Sequence, residues 1–222
     1  MFYLLRMMVL VDQIKADKHT DKVNLAPGTY QDEQGRPWIL PSIASAEKMM
    51  TEEIGLDHEY APLQGVAGFT RQAAGLIFGD DYAQDRTASI QTVAGTGACH
   101  LAAAFLSEFY SFPLNKKQVH ISSPTWSNYY GLFEKVGIAV VDYPHLGSDG
   151  RLDFDGLIGC LNEAEDGSVF VLHPGAHNPT GMDPTHTQWR QIVGRIKAKR
   201  HFVFLDSAYL GLTTGTIEVD RL

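Results

Sequence analysis

The chain has 222 residues, with 18 Lys and Arg side chains against 26 Asp and Glu side chains and a formal net charge of −8. Apolar residues make up 44% and charged residues 20% of it, which is typical of a globular protein and excludes wholesale disorder. The negative balance argues against a nucleic-acid-binding protein, which would normally present a basic surface.

Cysteine content and hydropathy exclude further classes of protein. Cys99 and Cys160 are too few and too far apart for a disulfide scaffold or a Cys-rich zinc site. No stretch reaches the roughly 18 apolar residues that a membrane-spanning helix needs. The apolar opening is interrupted by Arg6 and lacks the flanks of a secretory signal. We therefore expect a cytoplasmic protein without membrane or nucleic-acid partners, with a mitochondrial location left open.

The first part of the chain predicts an arm followed by helices. We expect an N-terminal arm over residues 1–40 and a larger domain over 41–222. The elements predicted here are an extended segment at Val23–Leu25, turns at Ala26–Tyr30 and Gln34–Pro37, and helices at Ser42–Ile54 and Val66–Phe78. Gly55 and Gly79 follow the two helices as stop signals.

From about residue 88 onward, short β-branched runs alternate with helical stretches. The predicted strands are Ala88–Val93, Gln118–Ser122, Ile138–Tyr143, Ser168–His173 and His201–Asp206. The predicted helices between them are Ala98–Tyr110, Ser127–Val136, Phe154–Ala164 and Thr187–Arg200. This alternation predicts an α/β fold with a mostly parallel sheet and helices on both faces.

In open α/β sheets, ligands bind beyond the carboxyl ends of the strands, so the residues that follow each strand are candidates for a site. Gly95-Thr96-Gly97 opens a helix, where glycines, free N–H groups and the Thr96 hydroxyl suit a phosphate. An ordinary strand-to-helix turn is the alternative. The segment is neither the dinucleotide fingerprint, because position 100 is His, nor a P-loop.

Three further segments place polar or aromatic side chains at the same edge of the sheet, beyond the carboxyl ends of the strands. Trp126 either stacks on a planar ring or belongs to the core. The Asn178 amide either donates to a ring oxygen or sits in a tight turn that aims the chain into the next helix. His173 and His177 are four residues apart, but Pro174 lies between them and no third metal ligand is evident.

Asp206 ends an apolar strand, and Tyr209 follows three residues later. A carboxylate at the exit of a buried strand is costly without a partner, and a cationic ring nitrogen would be one. A helix N-cap or a local salt bridge is the alternative role for Asp206.

Taken together, these motifs resemble the pyridoxal-phosphate (PLP) aminotransferases of fold type I, in particular the aspartate aminotransferase branch. The similarity runs from about Asp12 to the end of the chain. It rests on Lys22–Leu25, Gly35–Trp38, Glu59–Pro62, Gln91–Ala98, Pro124–Asn128, His173–Gly181 and Phe204–Gly211. The resemblance implies an incomplete PLP-binding large domain, preceded by an arm that begins the substrate-binding small domain.

The resemblance also implies roles for individual residues. Gly95 and Thr96 bind the cofactor phosphate, and Trp126 stacks on the ring. Asn178 and Tyr209 hydrogen-bond the ring 3′-oxygen, and Asp206 pairs with the ring nitrogen. Tyr60 reaches the phosphate of a neighbouring subunit, which implies a dimer. Gly28, Trp126 and Asn178 contact the substrate, and His173 supports the ring from behind.

The sequence departs from this family at several points, among them Leu210 where Gln is common and Pro27 where a small aliphatic residue is usual. Ala94 stands where the family often has Ser, which removes one phosphate ligand. Tyr129 follows the Pro-Thr-Trp-x-Asn motif where some members have His. The residues after Asp206 include no lysine, whereas the family has its Schiff-base lysine further along in a Ser-x-Ser-Lys context. We therefore assign no catalytic residue and expect at most very weak transamination by this chain alone.

Two functions follow from the resemblance. The first is PLP-dependent transfer of an amino group between L-aspartate, or a similar amino acid, and 2-oxoglutarate. The alternative is a truncated, inactive paralogue that binds PLP or associates with a full-length subunit. We expect the chain to form either a homodimer or a dimer with such a full-length subunit. A Rossmann-type nucleotide binder is disfavoured because its fingerprint is absent.

Overall fold

The computed structural model describes residues 2–24, 26, 28–54, 59–79 and 81–221, without the side chains of residues 2–7 and 53–54. Leu25 and Pro27, which belong to two of the predicted elements, and Gly55, the predicted stop signal of a helix, lie outside the described residues. The chain divides into two compact units, residues 1–60 and 61–222. The predicted domains at 1–40 and 41–222 stay a prediction.

The first unit contains two helices and one closed turn. Helix α1 spans Phe2–Ala16, and helix α2 spans Pro41–Met49 and continues as a π-helix over Met50–Ile54. The predicted turn at Gln34–Pro37 is confirmed, because the Asp32 N–H donates to the Arg36 carbonyl and the Gly35 N–H donates to the Asp32 carbonyl, both at 2.9 Å, and Gly35 has φ +71°.

The second unit begins with two α-helices that precede the sheet. Helix α3 spans Ala67–Phe78 and ends at Gly79, while helix α4 spans Ala94–Phe109. The predicted strand at Ala88–Val93 is wrong. Its main chain bonds to Gln64, where Gln91 N donates to Gln64 O at 2.9 Å, and to the first turn of α4, where Val93 O accepts from Gly97 N at 3.2 Å. No strand of the described residues lies beside it to form a ladder.

The remaining elements alternate strand and helix as the sequence predicts. They are β1 Gln118–Ser123, α5 Asn128–Lys135, β2 Ala139–Pro144, α6 Phe154–Glu163, β3 Val169–Leu172, α7 His186–Lys199, β4 Phe202–Leu205 and the short α8 Ile217–Asp220. The strands form one parallel sheet in the order β2-β1-β3-β4. The expected α/β class with a parallel sheet is confirmed.

Helices cover both faces of this sheet. Helices α4 and α5 pack on one face through a cluster that includes Phe133 and Val171, and helices α6 and α7 pack on the other through Leu161 and Phe170. All four residues of β3 are buried, which explains why the strand lacks polar alternation. Burial of a side chain such as Phe170 stabilises the fold by about 1.5–3 kcal/mol.

Candidate active site

The carboxyl ends of β3 and β4 lie side by side and bring two site candidates together. Leu172 and Leu205 are paired in register, and the Asp206 N–H donates to the Leu172 carbonyl at 2.9 Å. His173 and Asp206 therefore leave neighbouring strands at the same edge of the sheet. This is the edge at which α/β folds bind their ligands.

Tyr129 connects these two side chains, and sequence reasoning did not assign it a role. Its ring is fully buried near the start of α5. Its hydroxyl donates a short hydrogen bond to Asp206 Oδ2 and lies 2.9 Å from His173 Nε2. The signal that could have found it was its place directly after the Pro-Thr-Trp-x-Asn motif.

Cys99 brings helix α4 to the same carboxylate. Its Sγ lies 3.7 Å from Asp206 Oδ2. Burial, followed by the charge of Asp206, raises the pKa of the Cys99 thiol to about 12. The thiol therefore stays protonated and acts as a weak donor to Asp206.

Gly95 and Thr96 lie in the first turn of α4, four and three residues before Cys99. A Cβ atom built on Gly95 would meet nothing within 4 Å, so space is open beside this turn. Ala94 has φ +53°, a conformation that costs an L-residue energy and that turns the chain sharply into the helix. The first N–H groups of the helix lack intrahelical partners and favour an anion.

The segment after β3 holds Asn178 against the same cluster. The Asn178 N–H donates to His173 Nδ1 at 3.3 Å, and its side-chain Nδ2 donates to the Tyr209 hydroxyl at 3.3 Å. The Asp183 carboxylate accepts from the N–H groups of Ala176 and His177 and fixes the turn that precedes Asn178.

Trp126 occupies the exit of β1. Its ring meets the Tyr129 ring edge-on at a centroid distance of 5.2 Å. The adjacent Thr125 hydroxyl is buried and has no hydrogen-bond partner among the described residues. A buried polar atom without a partner marks a place where a ligand atom or a water could bind.

Two further histidines, His145 and His177, lie next to His173. The rings of His145 and His177 stack at a centroid distance of 3.6 Å, and His177 bonds the hydroxyls of Ser122 and Thr180 at 2.8 Å each. Burial, followed by the neighbouring His145 and His173, lowers the pKa of His177 to about 3. Among the described residues, no group of three His, Cys, Asp or Glu could hold a metal ion.

The structure thus brings together five of the residues that the sequence singled out: Trp126, His173, Asn178, Asp206 and Tyr209. Gly95 and Thr96 begin the helix that contacts Asp206 through Cys99. Gly28 and Tyr60 belong to the first unit, and the Tyr60 side chain is 96% exposed. The roles expected for these residues stay predictions.

The chain is similar to proteins of known activity. The family model described as aminotransferase class I and II matches residues 20–221. The cytoplasmic aspartate aminotransferase of Saccharomyces cerevisiae is 42% identical over 208 residues, which are 92% of this chain and 49% of that protein. The mitochondrial enzyme of Schizosaccharomyces pombe is 41% identical, over 95% of this chain and 48% of that protein.

A solved structure supports the same relationship. An aromatic-amino-acid aminotransferase from Burkholderia pseudomallei, described as covalently bound to pyridoxal phosphate, matches 97% of this chain and 53% of that chain, with a TM-score of 0.86 and 36% identity. The chain spans about half the length of the curated relatives it matches. In the described part of the chain, no helix is both long and apolar enough to cross a membrane.

Proposed function

Because the chain belongs to the class I and II aminotransferases, we propose that it forms the PLP-binding part of an aspartate aminotransferase. The reaction is the transfer of an amino group between L-aspartate, or a similar amino acid, and 2-oxoglutarate. The observation that carries this proposal is the Asp206 carboxylate. Its Oδ2 is bonded by Tyr129 and lies against the Cys99 thiol, while Oδ1 accepts no hydrogen bond from the described residues.

The residues at this edge of the sheet fit the cofactor. A half-buried carboxylate with one oxygen left over suits a protonated ring nitrogen, which would neutralise its charge. The Thr125 hydroxyl is buried without a partner next to Trp126. The open space beside Gly95, at a helix N-terminus, suits the phosphate.

When bound, the cofactor supplies an electron sink for bond breaking at the amino acid's α-carbon. The residues of this chain would position the cofactor and control its charge. Asp206 would hold a proton on the ring nitrogen and so keep the ring cationic. Asn178 and Tyr209, which already share a hydrogen bond, would both reach the ring 3′-oxygen. Trp126 would stack on the ring and limit its tilt.

Further parts of the proposal concern the partners. Gly28 would contact the substrate carboxylate through its backbone, together with Trp126 and Asn178. Tyr60 would reach the phosphate bound by a neighbouring subunit, so the working unit would be a homodimer or a dimer with a longer chain. Relatives carry both cytoplasmic and mitochondrial names, and we propose the cytoplasm for this chain.

The test is a calorimetric titration of the chain with pyridoxamine 5′-phosphate. This form keeps the ring and phosphate but has no aldehyde to react with surface lysines. We expect wild-type binding and an affinity loss of at least about tenfold for Asp206→Asn, because a charge-assisted hydrogen bond contributes about 1.5–3 kcal/mol.

Asp142→Asn is the matched control. Asp142 is an exposed carboxylate that also accepts a tyrosine hydroxyl, from Tyr130 at 2.8 Å. We expect this variant to bind the cofactor form as the wild type does. The proposal fails if the wild type does not bind, or if the two Asn variants bind equally well.

A further inference from the structure

We propose that Tyr129 is a positioning residue, which holds Asp206 through a chain of hydrogen bonds with a fixed direction. The chain runs from the Asn178 main chain through His173 and Tyr129 to the Asp206 carboxylate. The effect of Tyr129 on cofactor binding rests on the proposed function, whereas the direction of the hydrogen-bond chain does not.

Three contacts make up this chain. The Asn178 N–H lies 3.3 Å from His173 Nδ1, and His173 Nε2 lies 2.9 Å from the Tyr129 hydroxyl. The same hydroxyl donates a short hydrogen bond to Asp206 Oδ2. Tyr129 and His173 are both buried, so water does not compete for these atoms.

The count of protons allows one arrangement that satisfies every atom. A main-chain N–H can only donate, so His173 Nδ1 must accept from Asn178 and carry no proton. A carboxylate can only accept, so the single Tyr129 proton points at Asp206. His173 Nε2 then carries the ring proton and donates it to the Tyr129 oxygen. In the other tautomer, two N–H groups would face each other at Nδ1.

The charge states of the buried groups agree with this arrangement. Burial lowers the pKa of His173, so its ring is neutral near pH 7 and carries one proton. Burial and the charge of Asp206 raise the pKa of Tyr129, so the phenol keeps its proton. The chain therefore contains no ambiguous donor between Asn178 and Asp206 at that pH.

This arrangement has a consequence for the site. Tyr129 occupies one oxygen of Asp206 and leaves Oδ1 for a ligand. The same chain of bonds begins at Asn178, whose side chain contacts Tyr209. Tyr129 thus couples the carboxylate on one side of the proposed ring site to the amide and phenol on the other, and hydrogen bonds in such a chain strengthen one another.

The direction of the chain can be measured without any cofactor. In the full 222-residue chain with 15N-labelled histidine, His173 is assigned by comparison with His173→Gln. We expect a neutral ring protonated at Nε2, with Nδ1 bare. A proton on Nδ1 would overturn the proposal, because the bare Nε2 would then compete with Asp206 for the single Tyr129 proton and the chain would have no fixed direction.

The effect on positioning is measured with Tyr129→Phe, which keeps the ring and removes only the hydroxyl. We expect it to weaken the binding of pyridoxamine 5′-phosphate about tenfold, as for the loss of one hydrogen bond to a charged group. Tyr130→Phe is the matched control, because Tyr130 also donates to a carboxylate, that of exposed Asp142.

The outcomes separate this inference from the proposed function. Equal binding by Tyr129→Phe and the control would overturn the positioning role. If the wild type itself does not bind, the proposed function fails, and the His173 tautomer still decides whether the chain of hydrogen bonds runs as inferred. A Tyr129→Phe variant that does not fold leaves the tautomer of the wild type as the deciding measurement.

Discussion

The stacked rings of His145 and His177 are enclosed by protein and face a third imidazole. The centroids of His173 and His177 are 4.6 Å apart. Burial lowers the pKa of all three rings, and that of His177 falls to about 3. An added proton on any of them would be a buried charge, which the carboxylates of Asp183 and Asp206 offset only in part for His145 and His173, so this cluster makes the fold sensitive to acid.

The pH dependence of unfolding tests this cluster. His177 has a pKa near 6.5 in the unfolded chain and about 3 in the folded one, so between these values the unfolded state binds more protons. The contribution of His177 to the free energy of unfolding should therefore be fully present above pH 6.5, and it should be lost as the pH drops toward 3. Each such proton contributes a slope of about 1.4 kcal/mol per pH unit.

Urea denaturation from pH 7 to pH 4 measures this slope. We expect His177→Gln to show a shallower fall than the wild type. His186→Gln, which changes an exposed histidine at the start of α7, should run parallel to the wild type. Parallel curves for all three proteins would contradict the assignment to His177.

At the level of single residues, the sequence predicted which side chains would lie at one edge of the sheet better than it predicted the contacts between them. Asp206, Asn178 and Trp126 follow strands, and the ends of parallel strands meet at one edge. Tyr129 reaches Asp206 across 77 positions of sequence, and this proximity depends on how α5 packs on the sheet. Periodicity does not reveal that packing, and the ring of Tyr129 counts equally well as core.

At the scale of elements, helices α3 to α7 were predicted because their apolar positions and end signals are local, whereas helix α1 lies in the segment that was predicted as an arm. Gly79 ends α3, where its N–H donates to the Gly75 carbonyl and φ is +87°. The failed element is Ala88–Val93, whose β-branched residues favour a strand. A strand needs a neighbouring strand for its hydrogen-bond ladder, and the sequence of the segment alone does not show whether such a neighbour is present.

Helix α7 offers a measurable local signal. Thr185 and Gln188 form a capping box, with the Thr185 hydroxyl accepting from the Gln188 N–H at 3.3 Å and the Gln188 side chain accepting from the Thr185 N–H at 2.8 Å. We expect Thr185→Ala to lower the free energy of unfolding by about 1 kcal/mol, because an N–H at the helix start loses its partner.

Thr187→Ala provides the comparison in a chemical denaturation experiment. Thr187 is exposed two residues further along the same helix, and alanine has the higher helix propensity. This variant should be unchanged or slightly more stable. Equal destabilisation by the two substitutions would mean that the capping box does not stabilise α7.

At the scale of the whole molecule, helix α4 and strand β4 of the second unit expose apolar surface. Leu101, Phe105 and Phe109 repeat every four residues along α4 and are 42%, 59% and 70% exposed. Strand β4, with Phe202 and Leu205 about 40% exposed, pairs with β3 and with no other strand of the described residues. Exposed apolar stripes and free strand edges promote association between proteins.

We therefore expect the isolated chain to self-associate in a concentration-dependent way, which sedimentation velocity would detect. Replacing both Phe105 and Phe109 with Glu should shift the protein toward the monomer, because charged side chains resist burial in an interface. The centroids of these two rings lie 5.0 Å apart on the exposed side of α4. Because neither ring belongs to the buried core, the double variant should keep the fold. Lys116→Glu changes the net charge by the same amount at another exposed position, and it separates the loss of apolar surface from the added repulsion. If the control dissociates the chain as strongly as the double variant, the association depends on charge and the α4 stripe is not its interface.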